Sequence, residues 1–305
     1  QGYNGITDGV IWQQLLLFFF PILFGTFFQQ LYNTADAMIV GKFVGKEALS
    51  AVGGTTGTLI NLLVGFFVGM SSGAAVVVSQ FYGAKEDQQV QKSVHTAFCL
   101  ALAGGVALLV IGEIFTPAAI RAMGAPEEIL GYSVTYLRIY FLGIIGNLVY
   151  NMGAGILRAV GDSKRPLYFL IVCALANTGL DLLFVAVFGL GTAGAAMATS
   201  LSQLICAGLV IWVLLRIPGD CRLHLSELRF DGALLRRMTA IGLPAGLATI
   251  MYSVANVIIQ KAINLLGTDT AAAWSIYWKL DGFYWPISNA IGITAVSYTH
   301  LTLPT

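Results

Sequence analysis

The chain has 305 residues, of which 57% are hydrophobic and only 10% charged, with a net charge of +1 and a mean hydropathy of +0.80. A soluble domain carries about 25% charged residues, so this composition excludes a water-facing globule, and near-neutrality leaves no basic patch for nucleic acid. Repeated apolar runs of about 18 residues or more indicate an all-α, polytopic membrane bundle, because backbone groups in lipid must hydrogen-bond within their own segment.

The chain opens on Gln1, and no secretory-signal pattern precedes the first run; the start reads as trimmed. Eight spans are predicted, at 13–42, 48–79, 93–117, 130–157, 167–190, 192–216, 239–265 and 270–297. Each exceeds the ~20 residues that cross a bilayer, so the longer ones tilt or protrude. With the N-terminus placed inside, the inward loops hold ten Lys and Arg residues and the outward loops four. That bias predicts a multi-pass protein of the inner (plasma) membrane with a cytoplasmic N-terminus.

The longest connection, residues 217–238, opens on the breaker pair Pro218-Gly219. Its Asp231 is expected to cap a short amphipathic helix that lies on the membrane surface and runs into span seven. Spans seven and eight echo spans one and two. "FPILFGTFFQQLYN" and "LPAGLATIMYSVAN" both place proline second, and "GKEALSAVG" and "GTDTAAAWS" follow at nearly equal distances. The chain therefore divides into a six-helix lobe (1–216), a connecting segment (217–238) and the first two helices of a repeat-related lobe (239–297), an arrangement typical of secondary transporters. Residues 298–305 continue neither pattern and read as a foreign tail. The four cysteines show no Cys-x-x-Cys spacing and read as small apolar fillers.

Four acids fall within spans: Asp36, Glu113, Asp181 and Asp281. An aspartate at mid-membrane costs ~2.5–3.5 kcal/mol on insertion scales, so each needs a protein interior or a water-filled cavity. Glu113 lies near the outer end of span three, where headgroups can solvate it. Asp281 and Lys279 do not share a helix face. At 1.5 Å per residue, Asp36 and Tyr136 lie about 9 Å from the outer ends of their helices, Thr199 about 11 Å and Asp181 about 13 Å. Asn177 shares the face of Asp181 at i−4. Two carboxylates, an amide, a hydroxyl and a phenol at matched depth suit a hard cation or a proton held between acids in a low-dielectric pocket. Inter-helix hydrogen bonding is the bland alternative. Pro21 and Gly25 can bend span one below Asp36.

Several motifs resemble the multidrug and toxic compound extrusion (MATE) family. They are "FP" opening span one, "NTADAMIVGKFVG" ending it, "VVVSQFYGAKE" after span two, "GILRAVGDSKRP" between spans four and five, and "ANTGLDLLFVAVFGLGTAGAAMATSLSQ" across spans five and six. The resemblance reaches to about residue 296 and favours the DinF-like branch. It implies a twelve-helix carrier of two six-helix lobes, cut short here after eight spans. Such a carrier exports organic, often cationic, compounds in exchange for protons or sodium ions. The family's first-lobe cation site then falls on Asp36, Asn177, Asp181 and Thr199, which would ligate the metal if the ion is sodium, with Tyr136 beside them. The branch that uses an acid in span seven is not matched, since residues 243–265 contain none. Where family members carry Asn before "GILR" this chain has Ala154, and Asn151 is a candidate substitute.

A cation-coupled exporter working by alternating access is the leading reading, with Tyr277, Phe283, Tyr284 and Trp285 as candidate walls of a substrate cavity. It implies a monomer whose partners are a small organic molecule and the lipid bilayer, with no cofactor beyond the transported Na+ or H+. A flippase for lipid-linked oligosaccharides shares the architecture but needs Arg or Lys for pyrophosphate, and only Arg138 and Lys279 lie well inside spans rather than toward their ends. An intramembrane enzyme ranks last, since His95, His224 and His300 are scattered and no His-Glu-x-x-His appears.

Overall fold

The computed structural model describes residues 10–53, 55–123, 127–219, 221–265 and 268–302, and every regular element among them is helical. Ten helices follow in order: α1 (Ile11–Phe43), α2 (Lys46–Gly53), α3 (Thr55–Gly83), α4 (Asp87–Ala122), α5 (Glu127–Leu142), α6 (Ile144–Ala159), α7 (Lys164–Asp181), α8 (Gly191–Arg216), α9 (Gly232–Leu265) and α10 (Thr268–Thr302). Among the described residues, six helices are long and apolar enough to cross a membrane, and the α5–α6 pair makes a seventh if counted as one bent span. The chain is a multi-pass membrane protein.

Within lipid, helices associate through close van der Waals contact rather than by escaping water, so small residues mark the seams. The α3–α9 seam is the clearest case. A Cβ added at Gly69 would overlap the backbone of Gly246, one at Gly73 would overlap Gly242, and one at Gly65 would press on Thr249. The spacing of four on α3 sets these glycines along one face, which lets α3 and α9 approach backbone to backbone. Elsewhere α1 packs along α7 and α10, α7 on α8, and α8 on α5 and α6. The apolar core has two main parts. One, near the 217–231 linker, joins Val77, Val94, Phe98, Ile156, Leu157, Val210, Leu223 and Met238. The other lies toward the opposite end and joins Val40, Leu137, Tyr140, Phe141, Ile144 and Ala195.

The structure departs from the predicted elements at informative places. Span four is broken: α5 and α6 meet at Gly143 with a bend of 51°. Ser200 of α8 occupies the space that a side chain at residue 143 would need, 2.5 Å from an ideal Cβ. The Gly143 N–H turns back to Tyr140 O, and the Ile139 carbonyl freed by the break accepts a hydrogen bond from Ser200 Oγ at 2.9 Å. Span five leaves α-helical geometry after Asp181 and continues as π-helix from Leu182 to Val187. Asp231 caps α9 itself, its Oδ1 accepting from Ala233 N at 3.0 Å and Leu234 N at 3.1 Å. The expected short amphipathic helix is thus the first turns of a 34-residue helix, and the linker before it holds only a 3-10 turn at Leu225–Glu227. The stretch read as a foreign tail continues α10 to Thr302, and the backbone of Leu301 and His300 packs on Gly83.

One reading is corrected and one extended. Cys173 and Cys206 are not mere fillers: they pair as a disulfide joining α7 to α8, and Cys99 and Cys221 take no part in that pair. Glu113, expected to rely on headgroups, has an ionic partner in Arg138 of α5, with Oε2 to Nε 3.8 Å.

Candidate cation site

Helical spacing alone aims the polar residues inward. On α7 the buried positions Phe169, Cys173, Asn177 and Asp181 recur every four residues, so the two polar groups continue an apolar stripe. On α8 the buried set runs Thr192, Ala195, Thr199, Ser202 and Cys206. On α1, Asp36 shares its buried face with Ile39 and Val40. On α5, Tyr136 and Tyr140 are buried one turn apart, and their rings stack with centroids 6.4 Å apart.

The five residues singled out from the sequence converge. Asp181 is 0% exposed, Asn177 1% and Asp36 8%, with Tyr136 and Thr199 also buried. The Asp36 carboxylate is close enough to act electrostatically on Asp181 and on Tyr136, and the Tyr136 phenol meets the Thr199 hydroxyl. Thr199 Oγ1 donates to Ala195 O at 3.0 Å, which leaves its lone pairs free to accept. Asp36 Oδ1, both Asp181 oxygens and both amide atoms of Asn177 are buried without a hydrogen-bond partner. Among the described residues neither aspartate has an ion-pair partner; the ion pairs are Arg138–Glu113 and Arg165–Asp162. Buried polar groups are almost always satisfied, and a buried charge costs several kcal/mol unless it is paired. A pocket of orphaned oxygens lined by two acids therefore fits a small hard cation or a proton.

Asp181 is also the last α-helical residue before the π turn. Local π geometry recurs at functional sites because it rotates side chains out of α register. The Gly143 break likewise separates the tyrosine-bearing α5 from α6.

Sequence reasoning missed a second polar layer. Tyr32, Tyr140 and Gln203 each lie four residues from a site residue (Asp36, Tyr136 and Thr199) on the same helix. The chain directions put all three on the same side of the first layer as Asn177. The Tyr140 hydroxyl lies against the Gln203 amide, Tyr32 interacts with Gln29, and Asp36 and Tyr140 both lie within electrostatic reach of Tyr32. Gln203 Oε1 is buried with no donor. Stepping one turn along each helix from the first-layer residues would have found these positions.

The other candidates are less concentrated. Ala154 is buried, and Asn151 directs its Nδ2 to Asn147 O at 2.9 Å and Asn147 Oδ1 at 3.0 Å, so its donors are used within α6. Tyr277 and Tyr284 are exposed, and Trp285 packs edge-on against Tyr252 of α9 with centroids 5.5 Å apart. The side chains of Phe283 and Lys279 lie outside the described residues.

Comparison with known proteins places this geometry in a family. The MatE family model matches residues 21–183. The chain is 32% identical over 292 residues to the probable multidrug resistance protein YoeA of Bacillus subtilis, covering 93% of this chain and 62% of that protein. It is 30% identical over 296 residues to the probable multidrug resistance protein YpnP of the same organism, covering 95% and 64%. It thus spans under two thirds of the length of these relatives. A crystal structure described as MATE in the bent conformation superposes with a TM-score of 0.90 at 22% identity, covering all of this chain and 69% of that one, which shows a shared fold.

Proposed function

We propose that this chain, which belongs to the MatE family, forms the cation-binding part of a secondary transporter that expels organic, often cationic, compounds in exchange for protons or sodium ions. One observation carries the reading: two buried carboxylates lie within electrostatic reach of each other beside orphaned amide atoms, and among the described residues no Lys or Arg pairs with either. Such a pocket has a use for a mobile positive charge. Its N-terminus lies in the cytoplasm and its helices cross the inner (plasma) membrane, in keeping with the Lys and Arg bias.

In this mechanism Asp36, Asn177, Asp181 and Thr199 supply oxygens to the ion, and Tyr136 orients the Thr199 hydroxyl. Occupancy biases the carrier only through different affinities of its two conformations for the ion. Asp36 rides on α1, which contains Pro21 and packs on α7 through Gly25, where Leu170 lies 3.1 Å from an ideal Cβ. A change in the set of α1 therefore alters the Asp36–Asp181 pairing directly. Tyr277, Tyr284 and Trp285 of α10 are the proposed substrate contacts. A flippase ranks behind, because Arg138, which lies well inside a span, already holds Glu113.

The test is transport of a fluorescent organic cation into everted membrane vesicles under separate proton and sodium gradients. Uptake driven by at least one gradient is expected. Accumulation that ignores both gradients overturns the coupling, and absence of transport of any organic cation overturns the exporter.

A further inference from the structure

The connection between α8 and α9 is fastened to α4 at two neighbouring residues. His95, 3% exposed, places Nδ1 2.7 Å from Gln91 O, and its Nε2 receives the backbone N–H of His224 at 3.0 Å. Thr96 Oγ1 accepts from Asp231 N at 3.2 Å. Between these points Gln91 Nε2 reaches Glu227 at 3.4 Å. Cys221 and Leu223, just before the first fastening, are buried in the core with Leu234 and Met238.

The partners of His95 fix its protonation state. A carbonyl oxygen can only accept, so Nδ1 must carry hydrogen. A backbone N–H can only donate, so Nε2 must be bare. Only the neutral Nδ1–H tautomer satisfies both. A second proton would set Nε2–H against the His224 N–H, two donors face to face in a buried site, and the contact would be lost.

We propose that His95 is a pH-sensitive latch: neutral, it holds the 224–228 stretch of the connection on α4, and doubly protonated, it releases it. Histidine is the side chain whose charge changes between about pH 5 and 8, so docking is present at the upper end of that window and lost toward the lower end. The groups around the latch do not replace it. A cavity beside it is lined by Lys92 of α4 and by Glu227, Arg229 and Asp231 of the connection, and the His224 ring stacks on His95 with centroids 6.2 Å apart. Lys92 and Arg229 carry only donors and offer no acceptor to a second ring proton. Of the two acids, Asp231 is engaged in capping α9 and Glu227 holds Gln91. The α3, α5, α6 and α9 helices also pack on α4; their charged residues include Arg138 of α5, which pairs with Glu113 further along α4, Arg158 in the last turn of α6, and Arg236 and Arg237 near the start of α9. Because the connection joins the six-helix lobe to α9, releasing it loosens the tie between lobes when the cytoplasm acidifies. The latch rests on these contacts alone and not on the transport reading.

Amide hydrogen exchange of the reconstituted protein, followed by mass spectrometry on peptides covering 222–229, tests it, with exchange times scaled for the pH dependence of the chemical step. The expected result is protection at about pH 8 that is lost at about pH 5. His95→Gln cannot take up a proton but offers an acceptor, so its protection should be the same at both pH values. His224→Phe keeps the backbone donor and a flat ring, so it should still switch. Equal protection of the unsubstituted protein at both pH values overturns the proposal without any variant having to fold. Switching that survives in His95→Gln or disappears in His224→Phe also overturns it.

Discussion

Asp36 of α1 and Asp181 of α7 lie within electrostatic reach of each other, buried to 8% and 0% exposure, with three of their four carboxylate oxygens lacking any hydrogen bond. Each is isosteric with asparagine, so Asp36→Asn and Asp181→Asn remove charge while keeping volume. Losing a charged contact costs about 1.5–3 kcal/mol, roughly a ten- to hundredfold fall in affinity for the coupling ion. Both variants are expected to reach the membrane in normal amounts and to lose efflux, measured as ethidium export beside an immunoblot. Normal export from either variant would remove that residue from the site.

Gln203 gives a prediction in which stability and transport part company. Its Oε1 is buried without a donor, and an unmet acceptor of this kind costs about 1–3 kcal/mol. Gln203→Leu removes that cost at similar volume but also takes the amide partner from the buried Tyr140 hydroxyl, so the two effects oppose and the melting temperature in detergent should change little. If the carbonyl receives the ion or a polar group of the substrate during the cycle, the initial rate of export should fall. Unchanged export would make the second polar layer a packing feature.

How far the sequence could be read follows from which interactions are local. The stripe Phe169–Cys173–Asn177–Asp181 is an i+4 series, so the convergence of Asn177 and Asp181 is written in the spacing of one helix. Depth counted from helix ends aligned Asp36, Tyr136 and Thr199 because straight helices advance by a fixed rise. The Gly143 break was hidden, since it depends on Ser200, 57 positions away and on another helix. The Cys173–Cys206 pairing and the Glu113–Arg138 ion pair were hidden for the same reason: both join different helices, and hydropathy says nothing about which helices meet. The π turn after Asp181 was invisible because its residues, "LLFVAV", suit an ordinary apolar helix equally well.

The α3–α9 seam predicts a sharp contrast among glycines. Gly69→Ala drives a methyl group into the Gly246 backbone, which cannot rotate away, whereas nothing lies within 4 Å of an added Cβ at Gly208. Overpacking a tight contact costs about 1–3 kcal/mol, while Gly→Ala in an open helix position gains roughly 0.5–1 kcal/mol from propensity. Gly69→Ala should therefore melt at a lower temperature than the parent and Gly208→Ala at the same or a higher one. A Gly69→Ala variant as stable as the parent would show that the two helices do not approach as closely as described.

The bend at Gly143 makes a prediction about coupling between two positions. Ser200 serves the break in two ways: its Oγ satisfies the Ile139 carbonyl, and its Cβ fills the space above Gly143. Ser200→Ala leaves that carbonyl unmet and should cost about 1–3 kcal/mol. Gly143→Ala should be at least as damaging, because the new methyl meets Ser200 Cβ at 2.5 Å and Oγ at 2.7 Å. Combining Gly143→Ala with Ser200→Gly removes both obstructing atoms but leaves Ser200 Cα at 2.8 Å. The double variant should thus be more stable than the sum of the single losses predicts, with an interaction energy of about 0.5–3 kcal/mol, but should not regain the parent melting temperature. Strict additivity would mean that the bend does not depend on this contact, and that the placement of Tyr136 and Tyr140 on α5 is set elsewhere.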